Sequence, residues 1–228
     1  MKRERERNCN DTIFDHAHSA SFYTMIEIFR KGGPVMWPLL AASLVALTVV
    51  LERLLFTFRE SLARDPRAVA EIFSAVERGN VPAACEAGRG SRGFVARVLT
   101  YALEHRDVSF SNALLEASSL ELQRFNRGIA VLDTIVTLAP LMGLFGTVTG
   151  MIRAFGLLGA SELGAPTAIT GGIAEALIAT AFGLLIAMIA LLPFNFLNSR
   201  LEQARQEIEN AAAHLELLLL KSEKSAAS

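Results

Sequence analysis

Three long apolar segments are the feature that most constrains the fold of this chain. They run from Pro34 to Leu51, from Ile129 to Ile152 and from Ala168 to Leu197, and the stretches between them are more polar. About 20 apolar residues in a helix cross a hydrocarbon core of about 30 Å. A spanning segment must also satisfy its own backbone hydrogen bonds, which favours helices. The sequence therefore predicts an all-α polytopic membrane protein with three transmembrane helices.

The distribution of arginine and lysine predicts the orientation of these helices. Three spans place the two termini on opposite sides of the membrane. With the N-terminus outside, the cytoplasmic regions 57–128 and 200–228 carry ten and four Arg or Lys residues, whereas the opposite orientation gives six and one. Cytoplasmic segments are enriched in these residues, so we expect an external N-terminus and a cytoplasmic C-terminus.

The first residues fit this orientation poorly. Met1–Arg7 is basic, and basic residues are favoured on the cytoplasmic side. Met25 directly precedes the amphipathic run Ile26–Lys31. We therefore expect translation to start at Met25.

The order of polar and apolar segments predicts seven regions. They are an external N-terminal segment with an amphipathic helix (1–33), a first transmembrane helix (34–56), a cytoplasmic helical domain (57–128), a second transmembrane helix (129–152), an external loop (153–167), a third transmembrane helix (168–197), and a cytoplasmic C-terminal helix and tail (198–228).

Capping signals and apolar spacing predict short helices within the cytoplasmic domain. Asp65 followed by Pro66 is typical of a helix start, and Cys85 is expected to be a small core residue. The predicted helices run from Pro66 to Arg78, from Pro82 to Gly88, from Phe94 to His105 and from Ser109 to Arg127.

The C-terminal region predicts one continuous apolar seam on a helix, because its apolar residues alternate between spacings of three and four. Two alternatives remain open for this seam. It packs either on the cytoplasmic helices of its own chain or against a neighbouring copy in a coiled bundle. The seam residues are Leu201, Ala204, Ile208, Ala211, Leu215 and Leu218.

Glu175 is the first candidate functional residue. It is the only charged side chain between Thr167 and Ser199. The bilayer centre offers no water to a charge, so an acidic side chain there faces a bundle interior, a polar cavity or an ion path.

Small residues line one face of the second span and one face of the third. Small seams let helices approach closely in a membrane, where packing replaces the hydrophobic effect as the driving force. Helix packing is accordingly expected of Pro140, Gly143, Gly146, Gly171 and Gly183.

Thr147, Glu175 and Thr180 are expected to form a short polar ladder along these seams. Thr147 lies six residues from Arg153, and Glu175 lies eight residues from Thr167, which is about 9 and 12 Å along a helix. We therefore expect Thr147 and Glu175 to share a layer, with Thr180 about 8 Å deeper.

Two segments carry a more specific pattern: Ala139–Val148 (APLMGLFGTV) and Gly172–Ala181 (GIAEALIATA). Together they resemble the MotA/TolQ/ExbB proton-channel family. The three-span layout resembles the ExbB and TolQ branch, because MotA-type members have four spans. One departure is that a proline of the family pattern falls on Ile189, while this chain carries Pro193.

The resemblance implies a proton-channel or motor subunit of the bacterial inner membrane. It implies a ring of five copies around the transmembrane helices of a two-copy partner similar to ExbD or TolR, whose own aspartate takes and releases the proton. Glu175, Thr147 and Thr180 carry over as the lining of the proton path. The work would serve outer-membrane transport or an envelope process, with a TonB- or TolA-like protein as a further candidate partner.

Each of these residues also has a simpler structural interpretation. Glu175 could be a neutral carboxyl that holds neighbouring helices together without relaying protons. A membrane threonine often bonds to the carbonyl one turn earlier, which is the alternative for Thr147 and Thr180.

The sequence offers little to other functional classes. It contains no nucleophile elbow, phosphate-binding loop or metal-ligand spacing, so we expect neither an enzyme nor a cofactor. The net charge of −1 gives no indication of a nucleic-acid partner, which leaves membrane lipid and protein. A non-conducting membrane scaffold that binds a partner helix is the alternative function.

Overall fold

The computed structural model describes residues 27–156 and 165–226, which are helical apart from short turns. No strand occurs in these two ranges, and the expected all-α fold class is confirmed. Met25, where translation is expected to start, lies outside the described residues. The helices are α1 (27–31), α2 (Met36–Leu62), α3 (Pro66–Glu77), α4 (Val81–Arg89), α5 (Phe94–Glu104), α6 (Arg106–Asn126), α7 (Ile129–Gly156) and α8 (Ala165–Ala226).

Helices α2, α7 and α8 are long and apolar enough to cross a membrane. They match the three predicted spans. Helices α2 and α8 continue beyond the expected ends at residues 56 and 197. The polar residues that follow both apolar segments include Arg and Glu, which are good helix formers and extend the helix past the apolar part.

The chain divides into two units, each with its own packing. We call the first the span unit: it comprises the described residues up to Leu47 and those from Thr134 to Leu191. The second, the helical-domain unit, comprises Thr48–Asp133 and the described residues from Leu192 onward. Helices α2, α7 and α8 contribute residues to both units.

The core of the span unit is small and is formed by α2, α7 and α8. Met36 and Leu39 of α2 are almost fully buried, and they pack with Ala139 of α7 and Ala187 of α8. Most other large apolar side chains of these helices are exposed on the single chain. Lipid or other protein chains are what would cover such a surface.

The short helices of the helical-domain unit begin at capping residues. The Asp65 carboxylate accepts a hydrogen bond from the Ala68 backbone N–H at 3.1 Å, as its position before Pro66 predicted. The Asn80 side-chain oxygen accepts one from the Ala83 backbone N–H, also at 3.1 Å. Each cap satisfies a donor that the first turn of a helix leaves without a partner.

Helix α6 begins three residues before the predicted start at Ser109. Ser109 itself has extended backbone angles, with φ −171° and ψ 107°. Its hydroxyl accepts a hydrogen bond from the Asn112 backbone N–H at 3.4 Å. Ser109 therefore caps the longer part of α6, and a single short turn precedes it.

A core of the helical-domain unit is built by α3, α4, α5 and the end of α8. Ile72, Leu99 and Leu215 are fully buried in it. Cys85 belongs to the same core and is 9% exposed. The prediction that Cys85 is a small core residue is confirmed.

The predicted seam of the C-terminal region packs on its own chain. Ala204 and Ile208 lie in a cluster with Phe94 and Val98 of α5, and Leu215 closes the core around Ile72. These contacts correspond to the first of the two alternatives that the sequence left open.

A buried acid ties α6 to α5 and α2. Glu121 is 8% exposed and accepts two hydrogen bonds from the Arg97 guanidinium, at 3.0 and 2.8 Å. Arg124 donates a third to the same carboxylate at 3.1 Å, and Arg97 also donates to Glu60 of α2 at 3.3 Å. The hydrogen bonds that Arg97 itself donates, first of all the one to Glu121, raise the pKa of Arg97.

Arg53 of α2 is a second buried charge, which the sequence analysis did not single out. Its side chain is 6% exposed, and it donates to the Arg124 carbonyl at 3.0 Å and to Glu52 at 2.6 Å. The guanidinium also lies 5.1 Å from the centre of the Phe56 ring. Arg53 thereby anchors the end of α6 to α2.

We expect Arg97→Ala to lower the free energy of unfolding by about 1–3 kcal/mol, because it leaves the buried Glu121 carboxylate with fewer donors. Arg205→Ala is the matched control, since Arg205 pairs with Glu202 at 3.9 Å on the exposed face of α8 and should contribute less than about 1 kcal/mol. Thermal unfolding of both variants in one detergent measures the difference. Equal shifts of the unfolding midpoint in the two variants would show that the Glu121 network contributes no more to stability than an exposed ion pair.

We expect the Cys85 thiol to react slowly. Burial raises its pKa, and the Glu104 carboxylate adds to the rise, so less of the reactive thiolate forms at a given pH. In the folded protein at pH 8.5, iodoacetamide should modify Cys85 at least about tenfold more slowly than in the denatured chain. Peptide mass spectrometry measures both rates, and similar rates would contradict this prediction.

The same pKa shift predicts how stability depends on pH. Because folding raises the thiol pKa, the contribution of Cys85 is complete below the ordinary thiol pKa and is lost as the pH rises through the folded value. The stability of the native chain should therefore fall more steeply above about pH 8.5 than that of Cys85→Ala. Unfolding midpoints at several pH values test this.

Candidate functional site

Glu175 of α8 forms an ion pair with Arg153 of α7. The Arg153 Nη1 donates to the Glu175 Oε1 at 3.0 Å. The Glu175 side chain is 28% exposed and that of Arg153 is 53% exposed. Arg153 lies in the last turn of α7. Glu175, which the sequence analysis singled out, is therefore paired with a residue of its own chain on the neighbouring spanning helix α7.

The turn between α1 and α2 is the third element at this carboxylate. Gly33 has φ +73°, a conformation that glycine adopts without steric cost. A Cβ added at Gly33 would overlap the Glu175 Oε1. Glu175 consequently lies between the backbone of this turn on one side and Arg153 on the other.

Helices α7 and α8 approach each other at their small seams. A Cβ on Gly183 would lie 2.5 Å from the Ala139 carbonyl oxygen and 3.0 Å from the Gly143 Cα. A Cβ on Gly146 would lie 2.7 Å from the Ala179 Cβ. Real Cβ atoms do not come this close, so only glycine permits the observed separation of the two backbones.

Gly171 and Pro140 differ from the other predicted packing residues. A Cβ on Gly171 would meet no heavy atom within 4 Å in the described part of the chain, its own helix backbone apart. Pro140 lies inside α7 and is half-buried. Packing roles for Gly171 and Pro140 stay predictions.

The two predicted threonines make different hydrogen bonds. The Thr180 hydroxyl of α8 donates to the Gly143 carbonyl of α7 at 2.8 Å, next to the close approach of the backbones. The Thr147 hydroxyl donates to the Leu144 carbonyl of its own helix at 2.6 Å. Thr147 therefore makes the local bond that the sequence left as an alternative, whereas Thr180 bridges the two helices.

The contacts between the seams fix the register of the two antiparallel helices. Gly172 lies against Ala154, and Gly150 lies against Ala176. Glu175, next to Ala176, therefore lies near the level of Gly150, and its carboxylate meets Arg153 one turn further along α7.

The seam contacts bear on the expectation that Thr147 and Glu175 share a layer. Gly150 of α7 meets both Gly172 and Ala176 of α8, and Gly183 of α8 meets both Ala139 and Gly143 of α7. In this antiparallel register Thr147 and Glu175 lie about two residues, or roughly 3 Å, apart along the helix axis. A shared layer for the two side chains stays a prediction.

Arg153 and Gly33 are the two site residues that sequence reasoning missed as partners of Glu175. Arg153 follows Gly150 by three residues, so it continues the small seam of α7 on the same helix face. That spacing was the available signal for Arg153. The approach of Gly33 depends on the path of the chain before α2, and no motif in the sequence indicates it.

The arrangement provides one group that can exchange a proton beside one that cannot. A carboxylate takes up and releases protons, whereas the arginine guanidinium stays charged. An ionisable side chain within a spanning segment is by default a candidate for a functional role. Glu175 is thus the residue of the span unit at which proton chemistry is most readily placed.

We expect Gly183→Ala to destabilise the span unit, because its new methyl group meets the backbone of α7. Overpacking of this kind costs about 1–3 kcal/mol, against a gain of about 1 kcal/mol in helix propensity. Gly171→Ala, on the same helix, gains the propensity without the clash. Thermal unfolding in detergent should place Gly183→Ala below the native chain and Gly171→Ala at or above it. The opposite order would exclude a backbone contact at Gly183.

Comparison with known proteins assigns the chain to a family. A model described as the MotA/TolQ/ExbB proton channel family matches residues 90–210. The ExbB-like 1 protein of Synechocystis sp. is 37% identical over 200 residues, which cover 85% of this chain and 78% of that protein.

Two further relatives carry the names ExbB and TolQ. The biopolymer transport protein ExbB of Neisseria gonorrhoeae is 39% identical over 46% of this chain and 47% of its own length. The Tol-Pal system protein TolQ of Haemophilus influenzae is 36% identical over 41% of either chain. The family match covers more than half of the sequence and includes Glu175. The chain therefore belongs to the MotA/TolQ/ExbB proton channel family, in its ExbB/TolQ-like branch.

Proposed function

We propose that this chain is the proton-path subunit of an inner-membrane motor that uses the proton-motive force to energise outer-membrane transport or an envelope process. The observation that carries the proposal is the position of Glu175. It is an ionisable side chain within a spanning helix, beside a glycine-lined contact with α7. The printed names of the ExbB and TolQ relatives, which refer to biopolymer transport and to the Tol-Pal system, support the class of process.

Glu175 takes up and releases the transported proton in this proposal, and Thr147 and Thr180 line the path. Thr180 contributes by bridging α7 and α8 through the Gly143 carbonyl. It therefore also holds α8, which carries Glu175, against α7. Thr147 bonds within its own helix, so its hydroxyl oxygen retains capacity to accept a further hydrogen bond.

The working assembly is a ring of copies, a pentamer, around the spanning helices of an ExbD/TolR-like protein. Exposed apolar side chains on α7 and α8 support an assembly of this kind or a lipid boundary, among them Leu141, Leu144, Leu184 and Met188. The N-terminus is periplasmic and the C-terminus cytoplasmic, on the argument from the distribution of Arg and Lys.

The energy available suits this role. One elementary charge that crosses a potential of 100 mV releases about 2.3 kcal/mol. A few protons per step therefore supply enough free energy to move a partner helix relative to the ring and to deliver that movement to a TonB- or TolA-like protein.

We expect Glu175→Gln to reduce partner-dependent proton flux to the level of vesicles that lack the partner, because the amide cannot take up a proton at neutral pH. The measurement is acidification of vesicles that contain this chain with and without an ExbD/TolR-like protein. Glu202→Gln is the matched control: the same substitution on the same helix, at an exposed pair with Arg205, should leave the flux unchanged.

The outcomes separate the two functional candidates. Undiminished flux in Glu175→Gln would remove Glu175 from the proton path. Absence of any partner-dependent flux in the native complex would favour the non-conducting scaffold that binds a partner helix.

A further inference from the structure

Three elements meet at the Glu175 carboxylate. Helix α8 carries it, α7 supplies Arg153 at 3.0 Å, and the backbone of the turn before α2 approaches so closely at Gly33 that a Cβ there would overlap the Glu175 Oε1. Of the groups that meet here, the proposed function uses only the Glu175 carboxylate. Arg153 and Gly33 have no role in it so far.

The Arg153 guanidinium keeps its charge at every physiological pH. The pair with Glu175 can therefore end in two ways only: the two side chains separate, or the carboxylate is protonated. More than half of the Arg153 side chain is exposed on the single chain, so the guanidinium has N–H donors that this chain does not enclose. The pair is an arrangement that can open rather than a sealed contact.

We infer that Arg153 and Gly33 are positioning residues for Glu175: Arg153 holds the carboxylate against α7 in its ionised form, and Gly33 leaves the space in which it is held. Proton uptake at Glu175 then breaks this ion pair. The inference rests on the proposed function of Glu175 as the group that exchanges the proton.

Gly33 matters because it has no side chain. An alanine at this position would place its methyl group where the Glu175 Oε1 now lies. The carboxylate would then move away from Arg153, or the turn would open. The positive φ of +73° adds backbone strain to any such substitution, so a control for strain is needed.

Gly79 provides that control. It has nearly the same backbone angle, with φ +71°, and a Cβ there would meet nothing within 4 Å among the residues described. Gly79→Ala therefore carries the strain of a positive φ without a clash. The difference between Gly33→Ala and Gly79→Ala reports on the carboxylate alone.

The test uses dicyclohexylcarbodiimide as a probe of the full-length chain in lipid vesicles without a partner. The protonated carboxyl adds to the reagent: its oxygen bonds to the carbodiimide carbon, its proton passes to a nitrogen, and the adduct rearranges to a stable N-acylurea. A carboxylate in an ion pair with arginine lacks that proton. Loss of the arginine removes the positive charge that favours the ionised form of a carboxyl. Peptide mass spectrometry measures the rate of modification at Glu175.

We expect Arg153→Gln to raise this rate at least several-fold and Arg153→Lys, which keeps the charge, to stay near the native rate. Arg153→Met is the second neutral variant, for use if Arg153→Gln does not fold. Gly33→Ala should also raise the rate, whereas Gly79→Ala should not. A native rate in the neutral variants would overturn the role of Arg153, and equal rates in Gly33→Ala and Gly79→Ala would overturn that of Gly33.

Proton flux with the partner distinguishes failure of this inference from failure of the proposed function. If flux survives Glu175→Gln, the proposed function is lost whatever the labelling rates are. If flux depends on Glu175 but labelling ignores Arg153 and Gly33, only the positioning roles are lost.

Discussion

The approach of the α7 and α8 backbones is the constraint on which the candidate site depends. Gly183 and Gly143 leave no room for a Cβ between the helices, and this contact fixes their register. The register in turn brings the Arg153 guanidinium within 3.0 Å of the Glu175 carboxylate and the Thr180 hydroxyl within 2.8 Å of the Gly143 carbonyl. In a membrane the hydrophobic effect does not select between alternative registers of two apolar helices. Steric fit at the glycines therefore positions the polar groups.

The helical-domain unit is stabilised by different interactions, and the sequence predicted these better than it predicted the contact between α7 and α8. Its first helix starts at Asp65 because an acidic side chain before a proline caps a helix end locally. Its C-terminal seam was visible as a spacing, because one buried helix face repeats along the chain. Local signals such as these depend on few neighbours. The sequence predicted most helix boundaries to within a few residues for this reason.

Contacts between distant segments were predicted less well. The acid at Glu175 was found, but residue counts within each span do not determine how two spans align. Arg153, Gly33 and Arg53 were missed as partners. The interaction of each depends on a second segment 20 or more residues away along the chain, and composition and periodicity carry no information about such a pairing. What the sequence could supply was the candidate acid, and what it lacked was the register that gives the acid its counter-ion.

The counter-ion changes the electrostatics of the proposed proton step. With Glu175 ionised, its charge and that of Arg153 compensate each other at 3.0 Å. Protonation of Glu175 leaves the guanidinium uncompensated, which is costly in a medium of low polarity. An acidic side chain on a neighbouring helix would remove this cost by taking the place of the Glu175 carboxylate. Proton uptake at Glu175 and the arrival of an anionic partner group then favour each other, because each supplies what the other step lacks. Under the proposed function, a subunit built in this way would conduct poorly when it is alone and would couple proton passage to the position of its partner.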